Sequence, residues 1–599
     1  MQTSTPNAGR PTGATEGDRA RLTGWALTGV LASLMLTMLL AALDQTIVST
    51  ALPKILDDLN GYSRYTWVVT AYLLAETTVI PVIGKLSDQF GRKWFLVAGV
   101  AIFLIGSMLS GTSNSMTQLI AFRGLQGIGA GFIFALVFTL IGDIFTPAER
   151  ARWQGLFSAV FALASVIGPS LGGWITDNTT WRWVFYVNMP LGVIALALLI
   201  FVLPNNLSLR SSAYRGKAAL RRIDFAGAIS AGAATVCLLL GLTWGGVTYP
   251  WNSAQVIGIL AAAIIFFAAF FVIERRFAVE PILPLDLFKN KVFAAGALLS
   301  LTVGMALYAV VIYLPLFIQA VLGQSATNSG AVITPLTLTL AIGAAVVGQV
   351  IYKIGSYQVI SIIGGFVLAI GSFLLIQMGP NVALGQVTIN MIVVGIGLGM
   401  VQPVLTLAVQ NAIPRTRLGV GTSAVTYLRT MGQTLGTAII GAVVTNAAVS
   451  ALPKHLPAAA QRLPASTLAA ATNQQVLTQP HLKSQIVAKA VASIPPGPQH
   501  AQAVAQTHTL FNQIFEASRL SLATGIHEAF IGALVIVALA IVVTFFLSDV
   551  PLIAAPKAPA AQTPAPGAER ITDRTLAGVA DGSSAATASE DDYNVPVGH

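Results

Sequence analysis

Fourteen runs of about twenty apolar residues divide this chain, and each is long enough to cross the hydrocarbon core of a bilayer as a helix. They lie near 25–50, 66–84, 94–112, 116–141, 155–176, 184–203, 224–244, 254–273, 292–319, 327–351, 357–378, 384–411, 419–446 and 525–547. The pattern predicts an all-α integral membrane protein. Composition agrees: 9% of residues are charged, against about 25% in a soluble domain. The one cysteine, Cys237, sits in an apolar run, so there is neither a disulfide framework nor a cysteine-based metal site. Arg10, Arg19 and Arg21 precede the first run, which is too long for a signal peptide and has no clear cleavage site.

The net charge of +10 would suit a nucleic-acid partner if it were clustered on one soluble face. It is instead dealt out by topology. With the N-terminus in the cytoplasm, the inner loops collect Lys85, Arg92, Lys93, Arg210, Arg215, Lys217, Arg221, Arg222, Arg275, Arg276, Lys289 and Lys291, while the short outer loops hold only Lys54, Arg64 and Arg182. This is the positive-inside bias. It predicts a multi-pass protein of the cytoplasmic membrane with both termini inside, in contact with membrane lipids and not with nucleic acid. Two stretches stand outside the membrane pattern. Residues 447–524 form a long outer loop rich in Ala, Gln and Pro, in which "HLKSQIVAKAVASI" has the makings of a short amphipathic helix, and 548–599 read as a disordered cytoplasmic tail.

An internal repeat sets the organisation. "GKLSDQFGRK" (84–93) and "GQVIYKIGSY" (348–357) share Gly at their first and eighth positions at an offset of 264 residues, and "GPSLGG" (168–173) meets "GQTLGT" (432–437) at the same offset. "GIGAGF" (127–132) faces "GIGLGM" (395–400) at nearly that spacing. Such symmetry is common in transporters. The simplest parse is a cytoplasmic segment 1–24, a six-helix bundle 25–203, an inserted helix pair with its flanking loops in 204–291, and a second six-helix bundle 292–547 that includes the loop.

At these motifs the sequence resembles the major facilitator superfamily, and within it the fourteen-helix drug:proton antiporters similar to EmrB and QacA. "LDQTIVSTALP" (43–53), "GKLSDQFGRK", "RGLQGIGAG" (123–131), "GPSLGG" and above all "WRWVFYVNMPLG" (181–192) carry the resemblance. It departs at Gln89, where the family usually has Arg or Lys, at Ala164, often Gly, and at Glu76, which no family motif supplies. The resemblance implies two six-helix bundles plus two inserted helices, alternating access, and export against protons as the coupling ion. No other cofactor and no metal is expected.

The residues give these expectations physical content. Gly84 and Gly91 permit a tight turn, and Asp88 with Arg92 and Lys93 forms a charge cluster able to latch the halves in one state. Gly168, Gly172 and Gly173 offer a stripe for close helix packing, and Pro169 can kink that helix. Ionisable residues inside spans are costly and usually functional. Asp44 and Glu76 lie roughly 10 and 15 Å below the outer surface by helix rise, and between Asp286 and Glu516 the chain has no acid at all. Proton exchange therefore falls to Asp44 and Glu76. Burial favours the neutral form of a carboxylate and a nearby cation the charged form, so such an acid can hold a proton in one state and release it in another. The resemblance assigns Arg123 to tuning that acid, and Arg429 faces the same cavity from the second half. Phe134, Phe161, Tyr308 and Tyr313, with Gln402, Gln410 and Asn411, are candidates to line a substrate cavity near the midplane.

The leading expectation is a proton-driven exporter of small hydrophobic drugs, cationic ones foremost, acting as a monomer. The alternative is an exporter of a lipid or endogenous metabolite whose outer loop 447–524 meets lipid or an envelope partner. There is no Walker phosphate loop and no catalytic constellation, so neither an ATP-driven pump nor an enzyme is expected; the repeat argues against a receptor that transports nothing.

Overall fold

The computed structural model describes residues 24–59, 65–204, 224–246, 249–278, 281–324, 326–472, 476–477, 480–496, 498 and 500–549. The N-terminal segment to residue 23, the loop 205–223 and the expected tail from 550 onward lie outside the described residues. Fourteen helices are long and apolar enough to span a bilayer. They are α1 (Trp25–Asp58), α2 (Tyr65–Phe90), α3 (Lys93–Gly111), α4 (Met116–Ile144), α5 (Pro147–Asn178), α6 (Asn188–Phe201), α7 (Phe225–Trp244), α8 (Ala254–Arg276), α9 (Lys291–Leu316), α10 (Ala326–Ile354), α11 (Gln358–Ile376), α12 (Leu384–Ala412), α13 (Leu418–His455) and α14 (His500–Thr544). The side on which α1 begins is here the near side, and the opposite side the far side.

Helices α1 to α6 pack around one apolar core and α9 to α14 around another. The halves meet along two seams, α5 against α10 and α2 against α13. The inserted pair α7 and α8 pack on each other, and α7 rests beside α2. Local chemistry sets the helix ends. Ser115 caps α4 by accepting from the Gln118 N–H, and Asp224 caps α7 by accepting from the Gly227 N–H. Gly91 takes φ +96° in the two-residue turn between α2 and α3, a conformation that only glycine adopts at little cost.

The region 447–524 differs from the expected loop. Helix α13 continues to His455 and α14 begins at His500, so both helices project beyond the apolar stretch that hydropathy detects. Between them lie short helices Ala465–Ala471 and Pro480–Ala492, the second on the segment expected to be helical. They close over Phe511, Ile514 and Phe515 of α14 to make a small apolar core of their own. Hydropathy missed the extensions because their outward faces are polar.

Candidate functional site

Asp44 is fully buried and fully engaged. Arg123 Nη1 of α4 donates to its Oδ2 at 2.6 Å, and Gln126 Nε2 and Asn188 Nδ2 each donate to Oδ1 at 2.9 Å. Arg123 donates also to Gln126 Oε1 at 2.8 Å and lies over the Tyr72 ring at 4.2 Å. Asn188 donates to Ser107 Oγ, whose hydroxyl donates to the Phe185 carbonyl. The segment "WRWVFYVNMPLG" is thus a hub. Trp181 donates to Asp58 at the far end of α1, while Asn188 ties the start of α6 to Asp44. Asp44 sits about 21 Å before the end of α1 by helix rise, and α1 outruns its apolar stretch. Two charges removed from water persist only when paired and hydrogen-bonded on all sides, and this pair meets that condition.

Glu76 has a different setting. Gln45 Nε2 donates to its Oε2 at 3.0 Å. Arg429 of α13, across the seam, and Tyr308 of α9 lie near enough to act on its charge, so Glu76 feels the second half, whereas the Asp44 cluster lies within the first. Beyond Gln45 opens a cavity of about 790 Å³, walled by Gln45, Tyr72, Arg123, Tyr308, Tyr313 and Gln433 among others, and reaching the far-side loop at Trp251; neither Glu76 nor Arg429, which was expected to face it, is among the residues of its wall. Its size suits a small organic molecule.

The near side is shut by contacts between the halves. Asp88 caps α13: Oδ1 accepts from the Gly419 N–H and Oδ2 from the Val420 N–H, both at 2.9 Å. A carboxylate is favoured there because the unsatisfied amides and the helix dipole both attract negative charge. Arg92 pairs with Asp88 at 3.0 Å and with Asp143, fixing the acid's direction. Between the seams α5 also meets α12: Gln154 donates to Gln410 Oε1 at 2.9 Å, and Gln410 Nε2 donates to the Phe138 carbonyl and to Thr422 Oγ1, both at 3.0 Å.

The other candidates fall in several places. Lys93 does not join the latch cluster; it turns to the end of α6 and donates to the Ile200 carbonyl at 2.7 Å. Gly168 packs on α1, since a Cβ there would come 2.0 Å from Thr46 Oγ1, and Gly172 is buried. Gly173 faces open space, so it is not on the packed stripe. Pro169 leaves α5 continuous from Pro147 to Asn178. Of the proposed lining residues, Tyr308 and Tyr313 line the cavity. Phe134 and Phe161 pack into the first half's apolar clusters, and Gln410 belongs to the near-side clasp. Gln402 is half-buried in α12 away from the cavity wall, and both amide atoms of Asn411 are enclosed without a partner among the described residues. Sequence reasoning passed over Gln45, Gln126, Asn188 and Gln154. Gln45, Gln126 and Asn188 are amides inside apolar runs and Gln154 stands just before one; Gln126, three residues after Arg123, had to share its helix face.

Residues 34–437 match the model of the Major Facilitator Superfamily. The chain is 38% identical over 529 residues to the multidrug transporter protein MdtP of Bacillus subtilis (strain 168), covering 88% of this chain and 94% of that protein. It is 40% identical over 418 residues to multidrug resistance protein 3 of the same organism, covering 70% and 79%. Among solved structures it is similar to the human organic anion transporter MFSD10 (TETRAN), with a TM-score of 0.51 at 17% identity over 70% of this chain and 94% of that one; at that identity the likeness speaks for the fold. With its family model matched, and fourteen helical spans among the described residues fitting the drug antiporter branch, this chain belongs to the Major Facilitator Superfamily.

Proposed function

We propose that this protein is a proton-coupled antiporter that exports hydrophobic cations across the cytoplasmic membrane, with the near side in the cytoplasm. The observation that carries the reading is the cavity between the halves, closed at the near side by Asp88 and Gln410 and reaching the far side, with Glu76 behind its wall. Aromatic walls from Tyr72, Tyr308 and Tyr313 suit flat apolar cations. The relatives' names as multidrug transporters favour the same substrate class.

The two acids then divide the work. Both oxygens of Asp44 are taken by Arg123, Gln126 and Asn188, so this acid holds Arg123 against the cavity wall. Glu76, held by one neutral amide next to the cavity, is the group that exchanges a proton. A proton arriving from the far side neutralises Glu76, weakens its attraction for a bound cation and for Arg429, and lets the substrate leave. Closing the far side and opening the near side returns the proton to the cytoplasm. The test is transport in proteoliposomes under an imposed pH gradient. Wild type should move a monovalent and a divalent lipophilic cation against protons, and gradient-independent movement of both would reject antiport.

A further inference from the structure

The central cavity has a flank. A second hollow of about 970 Å³ runs along the far half of α13, from Leu242 and Trp251 of the inserted pair to Thr524 and Glu528 of α14. The two hollows share Leu242, Trp251, Ala438, Ala442 and Asn446 in their walls, so they adjoin through the gap between α7 and α13.

Trp251 is built into that junction. A Cβ on Gly245 would stand 2.5 Å from its ring, and one on Gly246 would stand 2.6 Å from its Nε1. The Gly246 N–H donates to the Tyr249 carbonyl at 2.8 Å and the Tyr249 N–H to the Trp244 carbonyl at 3.0 Å, which fixes the loop around the ring. Two adjacent glycines thus make a seat for an indole that remains 39% exposed. Beside it Trp67, Trp244 and Tyr249 form an aromatic cluster, the composition of a membrane–water boundary.

The side hollow grades from apolar to polar along its length. Ile439 and Val443 form its floor and Ser450 and Lys454 of α13 its far rim, while Glu528 of α14 stands beside the floor, since Gly525 packs against Val444 and Ala448 and Gly532 against Ile440. From 439 to 450 along α13 is about 16 Å, close to the hydrocarbon depth of one leaflet. Glu516 and Glu528 are the only acids between Asp286 and Asp549, and Glu516 is held by Arg519. Glu528 is therefore the carboxylate that the groove offers, at the depth of its apolar floor.

We infer that this groove is a side portal through which cationic amphiphiles leave the central cavity for the far leaflet. The alkyl chain slides past Trp251 into the floor between α7 and α13, and the cationic head comes to Glu528. The inference rests on the efflux reading above and extends it to a substrate class and a route.

The test compares efflux of a long-chain alkyl trimethylammonium with that of ethidium from cells and proteoliposomes. The variants are Val443→Trp and Ala447→Trp, which fill the groove without touching the central cavity, and Glu528→Gln. The portal predicts that both plugs cut long-chain efflux by about tenfold or more while ethidium efflux stays within about twofold, and that Glu528→Gln weakens only the long-chain substrate. Retained ethidium efflux doubles as the folding control. Wild-type rates for both substrates in both plugged variants, or equal loss of both, would overturn the portal. A wild-type protein that moves neither substrate defeats the efflux reading itself and this inference with it.

Discussion

Gly84 of α2 and Gly419 of α13 meet back to back: a Cβ on the first would lie 2.8 Å from the carbonyl oxygen of the second, and a Cβ on the second 2.5 Å from that of the first. The other seam repeats the geometry. A Cβ on Gly348 of α10 would lie 2.3 Å from the Ala151 carbonyl, and one on Gly155 of α5 would lie 2.4 Å from that of Ala344. The near side is thus shut by two crossings that the internal repeat relates to each other.

Gly84→Val and Gly348→Val are therefore expected to fold and to fail at closure. Overpacking of this kind costs about 1–3 kcal/mol, and the cost falls only on the conformation in which the crossing forms. Transport should drop by about tenfold or more. A cysteine placed at the near side should react faster with a membrane-impermeant maleimide than in the parent. Unchanged labelling would mean that the crossings do not close this side.

Only one of the two crossings relies on an acid from the other half. The start of α13 is capped by Asp88, whereas the start of α5 carries its own cap, with Glu149 accepting from the Thr146 N–H and hydroxyl. Asp88→Asn should weaken the closed state by about 1–3 kcal/mol, since a charge-assisted pair of hydrogen bonds is lost. Glu149→Gln should leave near-side labelling as in the parent. Equal effects would show that Asp88 is no more than a local cap.

The Asp44 and Arg123 pair predicts non-additive stability. Removing either partner leaves a buried charge, at a cost of about 3–5 kcal/mol. Asp44→Asn and Arg123→Gln should each lower the thermal unfolding temperature in detergent, and the double variant should lie close to the single ones rather than at their sum. Simple additivity would mean that the two side chains act separately.

Much of the architecture was legible because lipid imposes a blunt rule. A run of twenty apolar residues must be a helix, and the repeat in "GKLSDQFGRK" and "GQVIYKIGSY" made Gly84 and Gly348 equivalent; their role as crossings was not legible, and Gly84, expected to permit the turn with Gly91, lies inside α2 against Gly419. Asp44, Glu76, Arg123 and Arg429 stood out as charges in apolar runs. Their division into two clusters did not, because it depends on which helices adjoin: Asn188 reaches Asp44 over 144 residues of sequence, and Gln410 reaches Phe138 over 272. Aromatic residues misled for the same reason. Phe134 and Tyr308 look alike in sequence, yet one fills a core and the other walls a cavity. The polar extensions of α13 and α14 were illegible to hydropathy, which reports only the part of a helix that lipid touches.

The most direct measurement is proton movement upon addition of a lipophilic cation to proteoliposomes, in wild type and in Glu76→Gln. The variant keeps the side chain's shape and its contact with Gln45, so substrate binding should survive. The account predicts substrate-induced proton flux in wild type, its loss in Glu76→Gln, and passive, gradient-insensitive movement of the cation in that variant. Gradient-driven transport by Glu76→Gln at the wild-type rate would contradict it.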